Sequence, residues 1–184
     1  MSESQIHDVL VKYSNAGKTD KASYHSYEFF YPQELQYLRS KPENELHILE
    51  IGNAFGGSLR CWMELYPTAK FYGIDWNIKN IEEDVRNDSR LSLVNMSQSD
   101  SAVSSLFKGT EFDLIIDDAS HIASDQIATF QMLKSRVANG GKYIIEDIYP
   151  ENIYPDYFMK NFRVVDISHI KNRGDDRCFI YENN

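Results

Sequence analysis

The stretch HILEIGNAFGGSLRCWMELYPTAKFYGIDW, residues 47–76, decides the fold. HILEIG (47–52) is a short apolar run suited to a buried strand, and SLRCWMELY (58–66) places apolar residues at helical spacing. KFYGIDW (70–76) reads as a second strand. Working outward, the alternation continues. The charged helical stretch NIKNIEEDVRND leads to a third strand, LSLVNM (91–96), which is followed by SDSAVSSLF. FDLIIDD (112–118) is the fourth strand, followed by ASDQIATFQMLKSRV, and GGKYIIEDI (140–148) is the fifth. Strands separated by helices of this length imply βαβ units with right-handed crossovers, hence a mostly parallel sheet. The end differs: FRVVDISHI (162–170) and DRCFIYE (176–182) are joined by the short KNRGD, as in a hairpin. Upstream, SQIHDVLVKY (4–13) and YEFFYPQELQYL (27–38) show helical spacing, with Pro32 required near a helix start or at a break.

These segments predict an α/β, Rossmann-like, doubly wound sheet of seven strands, mostly parallel. It carries helices on both faces and a C-terminal antiparallel hairpin. Residues 1–45 are expected to form a helical segment covering the active site, and 46–184 the cofactor-binding catalytic domain. A chain of 184 residues needs no second core, disulfide or structural metal. The net charge of −9, with KNR (171–173) the longest basic feature, argues against nucleic acid as a partner. Cys61 and Cys178 show no metal spacing and read as buried thiols. The polar MSESQIHDVLVKYS has no apolar signal-peptide core, and no run approaches the roughly 20 residues of a membrane span. A soluble, cytoplasmic protein is expected.

In open α/β sheets, ligands bind beyond the carboxyl ends of the strands, where strand order reverses. The segments there are EIGNAFGGS, DWN, NMSQSD, DDASH and EDI. Gly52, Gly56 and Gly57 permit positive φ and close approach of backbone, but alanine at position 54 breaks the G-x-G-x-x-G dinucleotide pattern. Asp75, at the end of the second strand, suits the two hydroxyls of a ribose; it equally suits an N-cap before NIKNIEED. Glu50, just before the loop, would repel a diphosphate and favours a cationic cofactor. That points to S-adenosylmethionine rather than NAD.

LEIGNAFGGSLRCWMELYPTAKFYGIDW, QSD (98–100), IDDASH (116–121) and GGKYIIEDI together resemble class I S-adenosylmethionine-dependent methyltransferases. More narrowly, they are similar to the metal-dependent macrolide and sugar O-methyltransferases of the mycinamicin type. TDKASYHSYEFFYP (19–32) is similar to the segment preceding that group's catalytic fold. Ala54 and Ala119 replace commoner glycines, both by a small residue. The chain is expected to be too short for the extra N-terminal domain of some members, which loosens analogies of acceptor and oligomeric state. The resemblance implies cofactor contacts from Glu50, Gly52, Gly56, Ser58, Asp75, Gln98, Ser99 and Asp117. It also implies Asp118 and Asp147 as ligands of Mg²⁺ and His121 as general base, with Glu146 or Asp117 as candidates to complete the metal sphere.

The chemistry of these residue types is consistent with that implication. Adjacent carboxylates at a strand end raise each other's pKa, and a divalent cation with hard oxygen ligands relieves the conflict. A sugar hydroxyl is a poor nucleophile until a metal lowers its pKa and a nearby imidazole takes its proton. Alternatively, Asp117 and Asp118 cap the following helix and His121 is a solvated first-turn residue. His25 is a candidate for shaping the acceptor pocket, whereas Tyr24, Tyr27, Phe29, Phe30 and Tyr31 read as helix core. The expected activity is O-methylation of a sugar or polyol-like small molecule, and a homo-oligomer is compatible with it. The rival readings are a catechol-type metal-dependent methyltransferase and a S-adenosylmethionine- or nucleotide-binding module without turnover.

Overall fold

The computed structural model describes residues 2–184. Seven strands form one sheet: β1 (His47–Ile51), β2 (Lys70–Asp75), β3 (Leu91–Asn95), β4 (Phe112–Asp117), β5 (Val137–Ile145), β6 (Arg163–Asp166) and β7 (Arg177–Glu182). Their order is β3-β2-β1-β4-β5-β7-β6. The pairs β3–β2, β2–β1, β1–β4 and β4–β5 are parallel, and β7 runs antiparallel to both β5 and β6. The doubly wound sheet with its C-terminal hairpin is thus the architecture read from the sequence. Strand order reverses between β1 and β4, where Ile51 pairs with Asp117, so a crevice opens above those two residues.

The central strands read as unbroken apolar runs because both faces of the sheet are covered. Side chains alternate strictly. Ile48, Leu114, Ile116 and Ile144 enter a core shared with helices α1 (Glu3–Asn15), α2 (Tyr27–Glu34) and α3 (Gly57–Leu65). Leu49, Ile51, Ile115, Tyr143 and Ile145 enter the opposite core, built around Phe130 and Leu133 of a later helix, α5 (Ala123–Leu133). The same parity aims the strand-end acids. Glu50 and Glu146 follow Ile48 and Ile144 toward the α1–α3 side, while Asp117 follows Ile115 toward α5. α1 starts on a capping box, with Ser2 Oγ accepting from Gln5 N at 3.1 Å and Gln5 Oε1 accepting from Ser2 N.

Several elements are shorter than their periodicity suggests. NIKNIEEDVRND yields a 3₁₀ turn (Ile78–Asn80) and the single-turn α4 (Glu83–Arg86), and SDSAVSSLF only a 3₁₀ stretch (Ser101–Ser105). Between Trp76 and Arg90 only Ile81 and Val85 are buried, too small an apolar face to support a long helix. The strand expected over 162–170 ends at Asp166. Asp166 Oδ1 accepts from Ser168 N at 3.0 Å and starts the short α7 (Ser168–Lys171). Pro32 lies inside α2, which gives way to a 3₁₀ turn (Gln36–Ser40) two residues past its end. A further short helix, α6 (Asp156–Met159), packs Phe158 onto Phe130. Among the described residues no helix is long and apolar enough to cross a membrane.

Candidate active site

A cavity of about 830 Å³, in the range of small-molecule sites, lies above the carboxyl ends of β1, β2 and β4. Its glycine loop is shaped by backbone contacts. Gly52 has φ +83°, and a Cβ there would lie 2.1 Å from the Asp118 carbonyl oxygen. At Gly57 a Cβ would lie 1.8 Å from the carbonyl oxygen of Lys18, so the chain before α2 presses directly on the start of α3. These two close approaches are made by protein rather than left for a ligand. Gly56, at φ +85°, caps α3, and Ala54 occupies the left-handed region at φ +46°.

Asp75 ties this loop to β2. Its Oδ2 accepts from Asn53 N (2.7 Å) and Ala54 N (3.0 Å), and its Oδ1 from Asn77 N (2.7 Å). It still lines the cavity, with lone pairs left for a ligand's hydroxyls, beside the exposed indole of Trp76. Glu50 is fully buried and does not reach the cavity; it accepts from Ser58 Oγ (2.8 Å) and Trp62 Nε1 (3.2 Å), and burial pushes its carboxyl up to about 7. Ser58 and Gln98 do line the cavity, but both are engaged. Gln98 Nε2 donates to Asp117 Oδ1 and Thr129 Oγ1 (both 3.2 Å), and its Oε1 accepts from Ser120 N (2.7 Å). Asp117 is fully buried between Gln98 and Tyr143, whose hydroxyl donates to it at 3.0 Å, and burial lifts it to about 7. Ser99 is exposed beside Ser97 and lies outside the cavity lining, as does Gly56.

Asp118, His121 and Asp147 converge at the cavity edge, with one candidate ligand atom from each lying within 4.8 Å of the others. His121 Nε2 is 4.0 Å from Asp118 Oδ1 and 3.8 Å from Asp147 Oδ2. Its Nδ1 is buried without a partner, so no protein group fixes the imidazole tautomer. Both His121 (φ +57°) and Asp147 (φ +53°) occupy left-handed backbone, an uncommon conformation that the surroundings must enforce. For His121 the restraint includes Asn152 Nδ2, which donates to its carbonyl at 2.9 Å. For Asp147 it is Tyr27, whose hydroxyl donates to Oδ1 and accepts from the backbone N–H at 3.1 Å. His25 lies beneath, stacked on Tyr27, with Nδ1 2.7 Å from Asp176 Oδ1 and 3.4 Å from Asp147 Oδ1.

Glu146 is brought close but turned away. Its Oε2 accepts from Lys21 Nζ at 2.5 Å and its Oε1 from the Tyr31 hydroxyl. Lys21, only 1% exposed, also reaches Asp118 Oδ2 at 2.9 Å. Burial works against its charge, but Asp118, Glu146 and Glu50 outweigh burial and raise the lysine well above its ordinary range. Burial and the Asp118 charge also push Glu146 well upward, and lift Asp147 to about 6. The hard oxygens of Asp118 and Asp147, which meet His121 at the cavity edge, fit a divalent cation.

Sequence reasoning missed Lys21 and the hydroxyls of Tyr27 and Tyr31. TDK stands out only within the family-like segment 19–32, with no role given to its lysine, and both tyrosines pack as helix core while their oxygens bond the acids. Acidic residues dominate the cavity wall: Asp20, Asp75, Asp118, Asp125 and Asp147 face Lys18, which Glu82 pairs at 2.7 Å. Such a wall favours a cationic ligand over a diphosphate.

No family model matches the sequence. In structure, the chain superposes on the MycE methyltransferase from the mycinamycin biosynthetic pathway, in complex with Mg, SAH and mycinamycin VI. The TM-score is 0.71 at 20% identity, over 98% of this chain and 53% of that one. The fold is that of a class I S-adenosylmethionine-dependent methyltransferase. In sequence the chain resembles macrolide and sugar O-methyltransferases. It is 32% identical over 138 residues, 68% of its length, to the 8-demethyl-8-(2-methoxy-alpha-L-rhamnosyl)-tetracenomycin-C 3'-O-methyltransferase of Streptomyces olivaceus. It is 31% identical over 133 residues, 67% of its length, to the demethylmacrocin O-methyltransferase of Streptomyces fradiae. It spans about a third of the length of these relatives, 33% in each case.

Proposed function

We propose that the chain is the catalytic unit of an S-adenosylmethionine-dependent O-methyltransferase acting on a hydroxyl of a sugar or polyol-like small molecule. In this reading Asp118 and Asp147 hold Mg²⁺ and His121 is the general base. The observation that carries it is the meeting of Asp118, His121 and Asp147 at the edge of a cavity also lined by Gly52 and Asp75. Similarity to enzymes named as sugar O-methyltransferases supports the acceptor class. The Mg and SAH held by MycE support the cofactors.

The two cofactors supply a transferable methyl group and a Lewis acid that lowers the pKa of the acceptor hydroxyl. The chain does the rest. Asp75 offers its remaining lone pairs to the ribose hydroxyls, and Trp76 offers a face on which a base stacks. The acidic wall favours a sulfonium. His121 Nε2, the nitrogen facing the two carboxylates, accepts the acceptor's proton, and the nearby Asp118 and Asp147 offset the charge the imidazole gains. Residues 1–45 then serve as cover and 46–184 as the cofactor-binding unit. The contact of Lys18 with Gly57 and the presence of Lys18, Thr19 and Asp20 at the cavity edge support that division.

Calorimetric titration with S-adenosylmethionine and its demethylated product tests the cofactor assignment; absence of heat for both removes it. On a glycoside acceptor, His121→Ala is expected to lower kcat at least about 100-fold with cofactor affinity unchanged. Unchanged turnover removes the base. Including catechols in the acceptor panel separates this reading from a chelating-acceptor enzyme.

A further inference from the structure

The mechanism above does not use Lys21, although it is the best-buried cation of the site. Its Nζ lies 2.9 Å from Asp118 Oδ2 and 2.5 Å from Glu146 Oε2, with the rings of Tyr27 and Tyr31 5.5 and 5.9 Å away. An ammonium shielded in this way is held by charge, not by solvent. Asp118 is divided between two clients: Oδ2 binds Lys21, and Oδ1 faces His121 and Asp147. Glu146, the neighbour of Asp147, has both oxygens occupied by Lys21 and Tyr31.

We propose that Lys21 is a built-in counter-ion of the metal site, a positioning residue, anchored by Glu146, whose ammonium and the divalent cation share the carboxylate of Asp118. This rests on the reading of Asp118 and Asp147 as the holders of that cation. Without a divalent cation, Lys21 keeps the like-charged strand ends of β4 and β5 together and the site assembled. When a divalent cation binds, Lys21 is a like charge a few ångströms away and lowers its affinity. The site is thereby preformed but weak, filled at high ambient Mg²⁺ and emptied at low. A lysine that merely filled space would stabilise the fold by the same amount with or without metal.

The test is calorimetric titration of Mn²⁺, as a probe for Mg²⁺, into wild type, Lys21→Met and Lys21→Gln, with Tm recorded at zero and saturating Mn²⁺. The glutamine keeps a polar donor beside the carboxylates while removing the charge. Both variants are expected to bind Mn²⁺ at least about tenfold more tightly, because like-charge repulsion across a few ångströms in a partly buried site exceeds that factor. They are also expected to lose more Tm than wild type on metal removal. If both are unfolded without metal, refolding on Mn²⁺ addition supports the proposal, and failure to refold overturns it. Folded variants with unchanged or weaker affinity overturn the role of Lys21 while leaving the metal site standing. No Mn²⁺ binding by wild type sinks both.

Discussion

Replacing Glu50 by glutamine should make the protein less sensitive to pH and more stable in mild alkali. The carboxyl is fully buried beneath the glycine loop, and burial raises its pKa from the ordinary 4.5 to about 7 despite Lys21, Ser58 and Trp62. A folded-state pKa above the unfolded one means that the stabilising contribution is fully present below pH 4.5. It is lost as the pH rises through 7, where the folded protein must hold a desolvated charge. A difference of about 2.5 pH units, at about 1.4 kcal/mol each, amounts to roughly 3 kcal/mol. Glutamine keeps the shape and can accept from Trp62 Nε1, with the hydroxyl of Ser58 and the amide of Asn53 reoriented to accept from its NH2. Urea unfolding of wild type and Glu50→Gln from pH 5 to 8.5 checks this. The stability difference should grow in favour of the variant by roughly 2 to 3 kcal/mol across that range. A flat difference, or a variant less stable at pH 8.5, refutes the argument that burial dominates at Glu50.

Three further outcomes are expected. Gly57→Ala drives a Cβ to within 1.8 Å of the Lys18 carbonyl; it should cost more than about 2 kcal/mol in urea unfolding, or release residues 17–20 and weaken cofactor binding in calorimetry. Tyr27→Phe removes both hydroxyl bonds to Asp147 and should weaken Mn²⁺ binding about tenfold, with a loss of roughly 1 to 2 kcal/mol in stability. Phe130→Ala empties the centre of the aromatic cluster formed with Tyr143, Phe158, Phe162 and Tyr181. It should cost roughly 3 to 5 kcal/mol in unfolding experiments without changing metal affinity.

The sheet was legible because β1, β2, β4 and β5 are covered on both faces and so appear as compact apolar runs between glycine, asparagine and aspartate turns. The connections at 78–86 and 101–105 were not. Their local helical spacing is real, but they have little apolar surface to bury, and tertiary packing decides helix length. The convergence of Asp118, His121 and Asp147 could be anticipated from neighbouring strands β4 and β5. Strand parity would also have separated Asp117 from Asp118 and Glu146 from Asp147, since adjacent residues face opposite sides of a sheet. Lys21 lies in the family-like stretch 19–32, but nothing in that stretch shows that its side chain turns inward to the acids. It sits in an irregular loop where no periodicity tells inward from outward, and its partners lie 97 and 125 residues away.

The central claim is that these strand-end acids and His121 promote methyl transfer to a hydroxyl. Its most direct measurement is transfer of isotope-labelled methyl from S-adenosylmethionine to a panel of glycosides, with Mg²⁺ and with excess EDTA. Label on an acceptor oxygen in Mg²⁺, lost in EDTA and restored by added metal, is the predicted result. Transfer that persists undiminished in EDTA, or no transfer to any hydroxyl despite bound cofactor and metal, contradicts it.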